Sequence, residues 1–189
     1  KYMNMVLREK RWIVAFTIIS LVALIGLFWK HQPAKNGQVF NSIESINYGD
    51  VAWLLTASCL VLLMTPGLSF FYGGMVGKKN VISTMLKSFI CLGVVGLLWV
   101  VIGFSLSFGD SIGISVERKT YGIFGNPFQF AFFDQVEMLP HKALGSTIPF
   151  ILYALFQMKF AVITPAIITG ALAERIRFIS FLLFISRRY

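Results

Sequence analysis

Between Ile148 and Ala173 the chain carries a single charged side chain, Lys159, and the run closes on Glu174-Arg175-Ile176-Arg177. At 1.5 Å of rise per residue, a helix over this run is long enough to cross a bilayer. The charged cluster behind it reads as a cytoplasmic border, because Lys and Arg gather on that side. Phe156 and Phe160 stand one helical turn apart and share a face, with Ile163 and Ile167 roughly continuing the stripe. Such a stripe serves lipid contact or helix packing, or it lines a passage. The residues alone leave both open.

The rest of the chain agrees with a membrane setting. Hydrophobic residues make up 57% of it and charged ones 13%, with mean hydropathy +0.75, well beyond the balance of a soluble domain. Its 189 residues have room for four or five spans with their loops. The net charge of +9 does not point to nucleic acid, since the basic residues lie mostly at the ends of apolar segments. Cys59 and Cys91 each fall inside an apolar run and read as small packing residues, without metal or disulfide spacing.

In chain order, a basic stretch (Lys1, Arg8, Lys10, Arg11) precedes the uncharged run Trp12 to Trp29. Residues 1–30 therefore read as a secretory signal or as an N-terminal membrane anchor. Further spans are expected at about 51–74, 81–108 and 148–173, with an incomplete one from 178. Pro66 should bend the first of these, Tyr72 suits an interfacial belt, and Lys87 can snorkel from the span at 81–108. The long segment from Gly109 to Ser146 is rich in rings, so Tyr121 to Phe133 is expected to pack on the outer face. Charge sorting puts residues 30–50 and 109–146 outside and residues 77–80 and 174–177 in the cytoplasm. It also leaves the outer mouth slightly acidic, which weakly favours a cation.

Two blocks carry a family resemblance. F-Q-M-K-F-A-V-I-T-P-A-I-I-T-G-A-L-A-E-R-I, from Phe156 to Ile176, resembles the third core helix of the Amt/Mep/Rh ammonium transporter family. M-T-P-G-L-S-F-F-Y-G-G-M-V-G-K-K-N-V, from Met64 to Val81, resembles the end of that family's first helix and the turn after it. Phe124-Gly125-Asn126 also resembles the family's outer segment. The likeness runs from about Tyr48 to Phe184. It implies an all-α integral membrane protein, with residues 48–189 as the N-terminal part of a multi-span helical bundle.

What the resemblance implies for function is transport of ammonium or ammonia across a cell membrane, inner or plasma, by a multi-pass homotrimer. In the family, ammonium is held at an outer aromatic site, loses its proton, and passes a phenylalanine gate into an apolar pore. Phe156 matches an outer-site phenylalanine and Phe160 one of the gate pair. Leu68, Phe71 and Ile167 match the aliphatic lining below, and Ile163 lies on the same stripe. The other gate phenylalanine, the outer-site tryptophan and serine, the membrane aspartate and the paired pore histidines come from later helices in the family. No cofactor, metal or nucleic acid is implied, and no hydrolytic or redox site is present, so an enzyme is not expected. The alternative is a non-conducting membrane protein that senses ammonium or joins intact subunits, or the product of an interrupted gene. From Phe178 to Ser186 the apolar stretch is too short for a crossing before Arg187-Arg188, hence the expectation of an N-terminal part.

Lys159 departs from the family's uncharged residue between the two phenylalanines. A mid-membrane lysine costs about 2.5–3.5 kcal/mol on insertion scales. It is expected either in an outer vestibule or, by preference, against a carbonyl of a neighbouring helix, because a cation in the pore would repel ammonium.

Overall fold

Asn47 starts the first long helix. Its side chain accepts the Gly49 backbone N–H at 2.8 Å, which satisfies one of the donors that a helix N-terminus leaves without a partner. Asp50 then adds a negative charge in the first turn, where the helix dipole favours it. The same start is tied to a distant part of the chain. The Asn47 N–H donates to the Thr147 carbonyl at 2.9 Å, and the Thr147 hydroxyl donates to the Asp50 carboxylate at 2.6 Å.

The protein is seen here as a computed structural model describing residues 17, 20–22, 24–26, 28, 39–116, 119–173, 175–176 and 180–181. It divides into two compact units, Lys1–Gln32 and Pro33–Tyr189. In the first, residues 17, 20–22, 24–26 and 28 are helical; the remainder of the expected signal or anchor lies outside the described residues. Glu174, Arg177 and most of the incomplete span from 178 lie outside them too.

The second unit contains α1 (Tyr48–Met75), α2 (Val81–Phe108) and α3 (Phe150–Ala171). Among the described residues these are the helices long and apolar enough to cross a membrane, and each packs on the other two. As helices they begin and end within a few residues of the apolar runs read from the sequence. Pro66 and Pro165 both lie inside unbroken helices. α2 is not regular throughout. Trp99–Gly103 is a π turn, closed by the Phe104 N–H donating to the Trp99 carbonyl, a form that appears mostly as single turns within α-helices.

After α2 comes a feature the all-α expectation did not contain. β1 (Ser111–Val116) and β2 (Lys119–Gly125) form an antiparallel ribbon, with Ser111 opposite Gly125 and Val116 opposite Lys119. A register shift falls between Ile112 and Gly113. The ribbon ends tightly against α2. A Cβ on Gly125 would stand 2.6 Å from the Leu106 carbonyl and 2.7 Å from that of Ser105, a contact only glycine permits. The buried Ser105 hydroxyl then donates to the Asn126 carbonyl at 2.7 Å and accepts the Phe130 N–H at 2.9 Å. One side chain thus pins the returning segment at two points.

That segment feeds an aromatic core formed by Phe40, Trp99, Phe104, Phe130, Val136, Phe150 and Ala154. Phe130 and Phe133 pack there as expected of the outer segment, whereas Ile123, Phe124 and Phe128 are exposed. Phe132, Phe133 and Gln135 hold φ between 54° and 59°, a left-handed backbone that costs about 1–3 kcal/mol per residue and persists only where the surroundings enforce it. His141 closes the core from above. Its ring lies 4.9 Å from that of Phe150 and 5.4 Å from that of Phe40, and its Nδ1 accepts the Ala143 and Leu144 N–H groups at 3.3 and 3.2 Å. Burial lowers the imidazole pKa below its usual 6.5, and the Asp110 carboxylate partly counters that.

A second cluster joins the three helices nearer the Lys78-Lys79 turn: Cys91, Val95, Val162, Ala166 and Phe181. Lys87 corrects an expectation here. It does not snorkel outward; it is buried and its Nζ donates to the Ile176 carbonyl at 3.2 Å. The lysine therefore ties α2 to the segment that follows α3.

Candidate functional site

Phe156 and Phe160 project from successive turns of α3, and their rings meet edge to face at 5.1 Å between centroids. This is a preferred aromatic geometry, because the positive edge of one ring meets the negative face of the other. Phe156 is half-buried. Phe160 is 43% exposed, so a face of the pair remains open. The Thr164 hydroxyl donates to the Phe160 carbonyl at 2.8 Å, which occupies a carbonyl lone pair beside the ring.

One turn further along, the stripe divides. Ile163 is buried between helices, while Ile167 is 51% exposed. The physical reason lies in where the neighbours stand: α1 and α2 cover the side of α3 that carries Val162, Ile163 and Ala166, and leave Phe160, Thr164 and Ile167 outside the interface. Leu68 is half-buried against the cluster built around Cys91 and Val95. Phe71, 60% exposed, joins Ile167 across the gap between α1 and α3.

Those two residues, with Tyr72, Met75, Val76, Gly170, Ala171 and Ala173, line an open groove of about 490 Å³. Of the six sequence-derived positions, Phe156 and Phe160 therefore form one contact and Phe71 and Ile167 share one groove. Leu68 and Ile163 face packing interfaces. The groove lining carries no charged side chain, and its polar edge is the Tyr72 hydroxyl. That hydroxyl donates to the Ile167 carbonyl at 2.9 Å, so Tyr72 ties α1 to α3 rather than serving as a belt residue alone. Gly170 makes the tie possible, since a Cβ there would overlap the Tyr72 ring. Sequence reading missed this pair, although a glycine one turn from an apolar stripe was a usable signal. Among the described residues no cluster of His, Cys, Asp or Glu could hold a metal. Chemically, the face offers π surfaces and aliphatic walls, suited to a small neutral or weakly hydrated molecule.

Residues 52–186 match the Ammonium Transporter Family. An ammonium transporter of Mycobacterium tuberculosis is 43% identical over 141 residues, covering 72% of this chain and 30% of that protein. One from Bacillus subtilis is 43% identical over 136 residues, covering 72% and 31% respectively. Among solved structures, Mep2 of Candida albicans superposes with a TM-score of 0.60 at 28% identity, over 76% of this chain and 30% of its own. Mep2 of Saccharomyces cerevisiae gives 0.62 at 25% identity, over 83% and 34%. The chain thus spans about a third of the length of the relatives it matches.

Proposed function

The chain belongs to the ammonium transporter family, and we propose from that premise that it supplies one wall of a pathway carrying ammonium or ammonia across a cell membrane. In this reading Phe156 and Phe160 meet the cation from outside, and the groove at Phe71 and Ile167 takes the neutral molecule below. Leu68 and Ile163 back that lining from the helix interfaces. The observation that carries the reading is the open edge-to-face pair at Phe156 and Phe160, which falls inside the matched stretch.

The energetics favour loss of the proton. Burying an unpaired charge costs many kcal/mol, whereas a desolvated aromatic face returns roughly 2 kcal/mol. Two rings and aliphatic walls therefore do not carry a bare cation, but they do not obstruct ammonia. No covalent conversion is asked of any side chain, and the complete assembly is read as a multi-pass homotrimer without cofactor in the inner or plasma membrane.

A decisive experiment exchanges residues 52–186 into the Bacillus subtilis transporter and measures ammonium uptake in cells lacking their own carriers. Uptake near that of the parent is expected. A chimera that reaches the membrane at normal abundance yet carries no ammonium overturns the proposal. Phe160, Phe71 and Ile167 are open rather than enclosed, so the 189-residue chain reconstituted alone in liposomes is expected to give no saturable ammonium flux. The same openness supports a second reading, in which the chain joins other spanning subunits without conducting. Orientation has its own test: in a cysteine-free background, Lys119→Cys should react with an impermeant thiol reagent on intact cells, and Lys79→Cys should not.

A further inference from the structure

Lys159 stands near the middle of α3, about 14 Å along the helix from Phe150 and about 18 Å from Ala171 at 1.5 Å per residue. A four-carbon stem does not bridge either distance to a headgroup. The lysine is half-buried and borders a small cavity between the three helices, lined also by Leu62, Thr65, Leu92, Met158 and Val162. At about 20 Å³ that space holds one water and is too small for an organic anion. The neighbouring-helix carbonyl expected as its partner is not there: among the described residues Lys159 makes no hydrogen bond or ion pair.

The other spans cannot supply a counter-charge either. α1 carries one acid, Asp50, at its first turn and already bonded by Thr147; α2 and α3 carry none. A second copy of the chain would bring the same acid-free mid-sections. Ionisable residues at membrane depth pair with one another or with backbone carbonyls, and they face a bundle interior rather than lipid. We propose that Lys159 is the docking point for a further membrane-spanning helix that carries a carboxylate at mid-depth. Charge complementarity selects this occupant over lipid, a free anion or a copy of the chain. It also reconciles the lysine with ammonium passage, because a paired cation beside the Phe156/Phe160 face no longer repels one passing along it. The inference rests on the helices spanning a membrane and not on transport.

The test places the full 189-residue chain in neutral phosphatidylcholine vesicles with synthetic oligoleucine spanning helices that carry a central Asp, a central Lys or neither. Association is read by energy transfer. The Asp helix is expected to bind the wild-type chain about tenfold more tightly than the plain helix, the range of model interhelical polar contacts. Lys159→Leu should abolish that preference, and Lys159→Glu should transfer it to the Lys helix, a gain that a misfolded variant cannot produce. Equal binding of all three helices to the wild-type chain overturns the proposal. So does an Asp preference that survives Lys159→Leu, or association that appears only when anionic lipid is added.

Discussion

Phe150 and Phe71 are the same side chain in two different settings. Phe150 is fully buried, with the rings of Phe104, Phe130 and His141 between 4.9 and 5.4 Å away. Phe71 leaves most of its surface open, and the ring within contact distance is that of its neighbour Tyr72, at 5.5 Å. At the ribbon end the chain folds back over its own helices, so the rings of the buried core there find partners within the chain, while Phe124 and Phe128 at its edge stay exposed. At the groove between α1 and α3, about 490 Å³ is left unfilled. Aromatic content therefore does not mark a function by itself. What separates the two regions is whether the chain brings enough walls to close around the rings.

The comparison is easiest to break at Phe150. Phe150→Ala should cost about 3–5 kcal/mol, as large-to-small core truncations do, and lower both abundance and the midpoint of denaturation in detergent. If Phe71→Ala in the same chain costs as much, the contrast between closed and open regions is wrong. Phe160→Ala tests the open side from the opposite direction. Within the transporter chimera it should change ammonium uptake about tenfold, or about 1.4 kcal/mol, while protein level stays within about twofold. A loss of protein that matches the loss of uptake would return Phe160 to the packed class.

A smaller effect is expected at the groove's polar edge. Tyr72→Phe removes one interhelical hydrogen bond and should cost about 0.5–1.5 kcal/mol, measurable as a reduced denaturation midpoint without loss of helix content. The subtlest test concerns pH and belongs to the closed region. The folded imidazole of His141 has a pKa lowered by burial, so the unfolded chain binds the proton more readily. Stability contributed this way is full above about pH 6.5 and declines as pH falls from there through the lowered folded value. Protonation at Nδ1 would also displace the Ala143 and Leu144 donors. The melting temperature of the wild-type chain should drop on acidification, and His141→Phe should flatten that slope whatever its effect at neutral pH.

The long helices were legible because an extended uncharged apolar run is a one-dimensional signal that needs no knowledge of neighbours. The expected span at 81–108 coincides with α2, and the small offsets at α1 and α3 reflect caps at Asn47 and Pro149. Side-chain roles were less legible, since they depend on which face a neighbouring helix covers. Phe160, Ile163 and Ile167 share a stripe by spacing, yet α1 and α2 bury the middle one. Lys87 looked free to reach water because nothing in the local sequence shows that the chain returns to place Ile176 beside it. The ribbon was legible in half: Ser111-Ile112-Gly113-Ile114-Ser115-Val116 alternates small or polar with apolar residues at period two, a strand signal the all-α reading passed over. Its partner, Lys119–Gly125, is broken by Gly122 and keeps no such alternation.

The π turn at Trp99–Gly103 bears on how this chain can change length over generations. It holds one residue more per hydrogen-bonded ring than the α-helix on either side. Deleting any residue within it would restore regular winding and spare a less favourable turn. Because the π turn absorbs that extra residue, such a deletion would leave the windings on either side nearly in register, with Phe104 still in the ring cluster and Ser105 still near Asn126 and Phe130. A deletion elsewhere in α2 has no such slack and would swing everything beyond it by about 100°. The π turn is thus the place in α2 where the chain can lose a residue without dismantling the layer built on the helix.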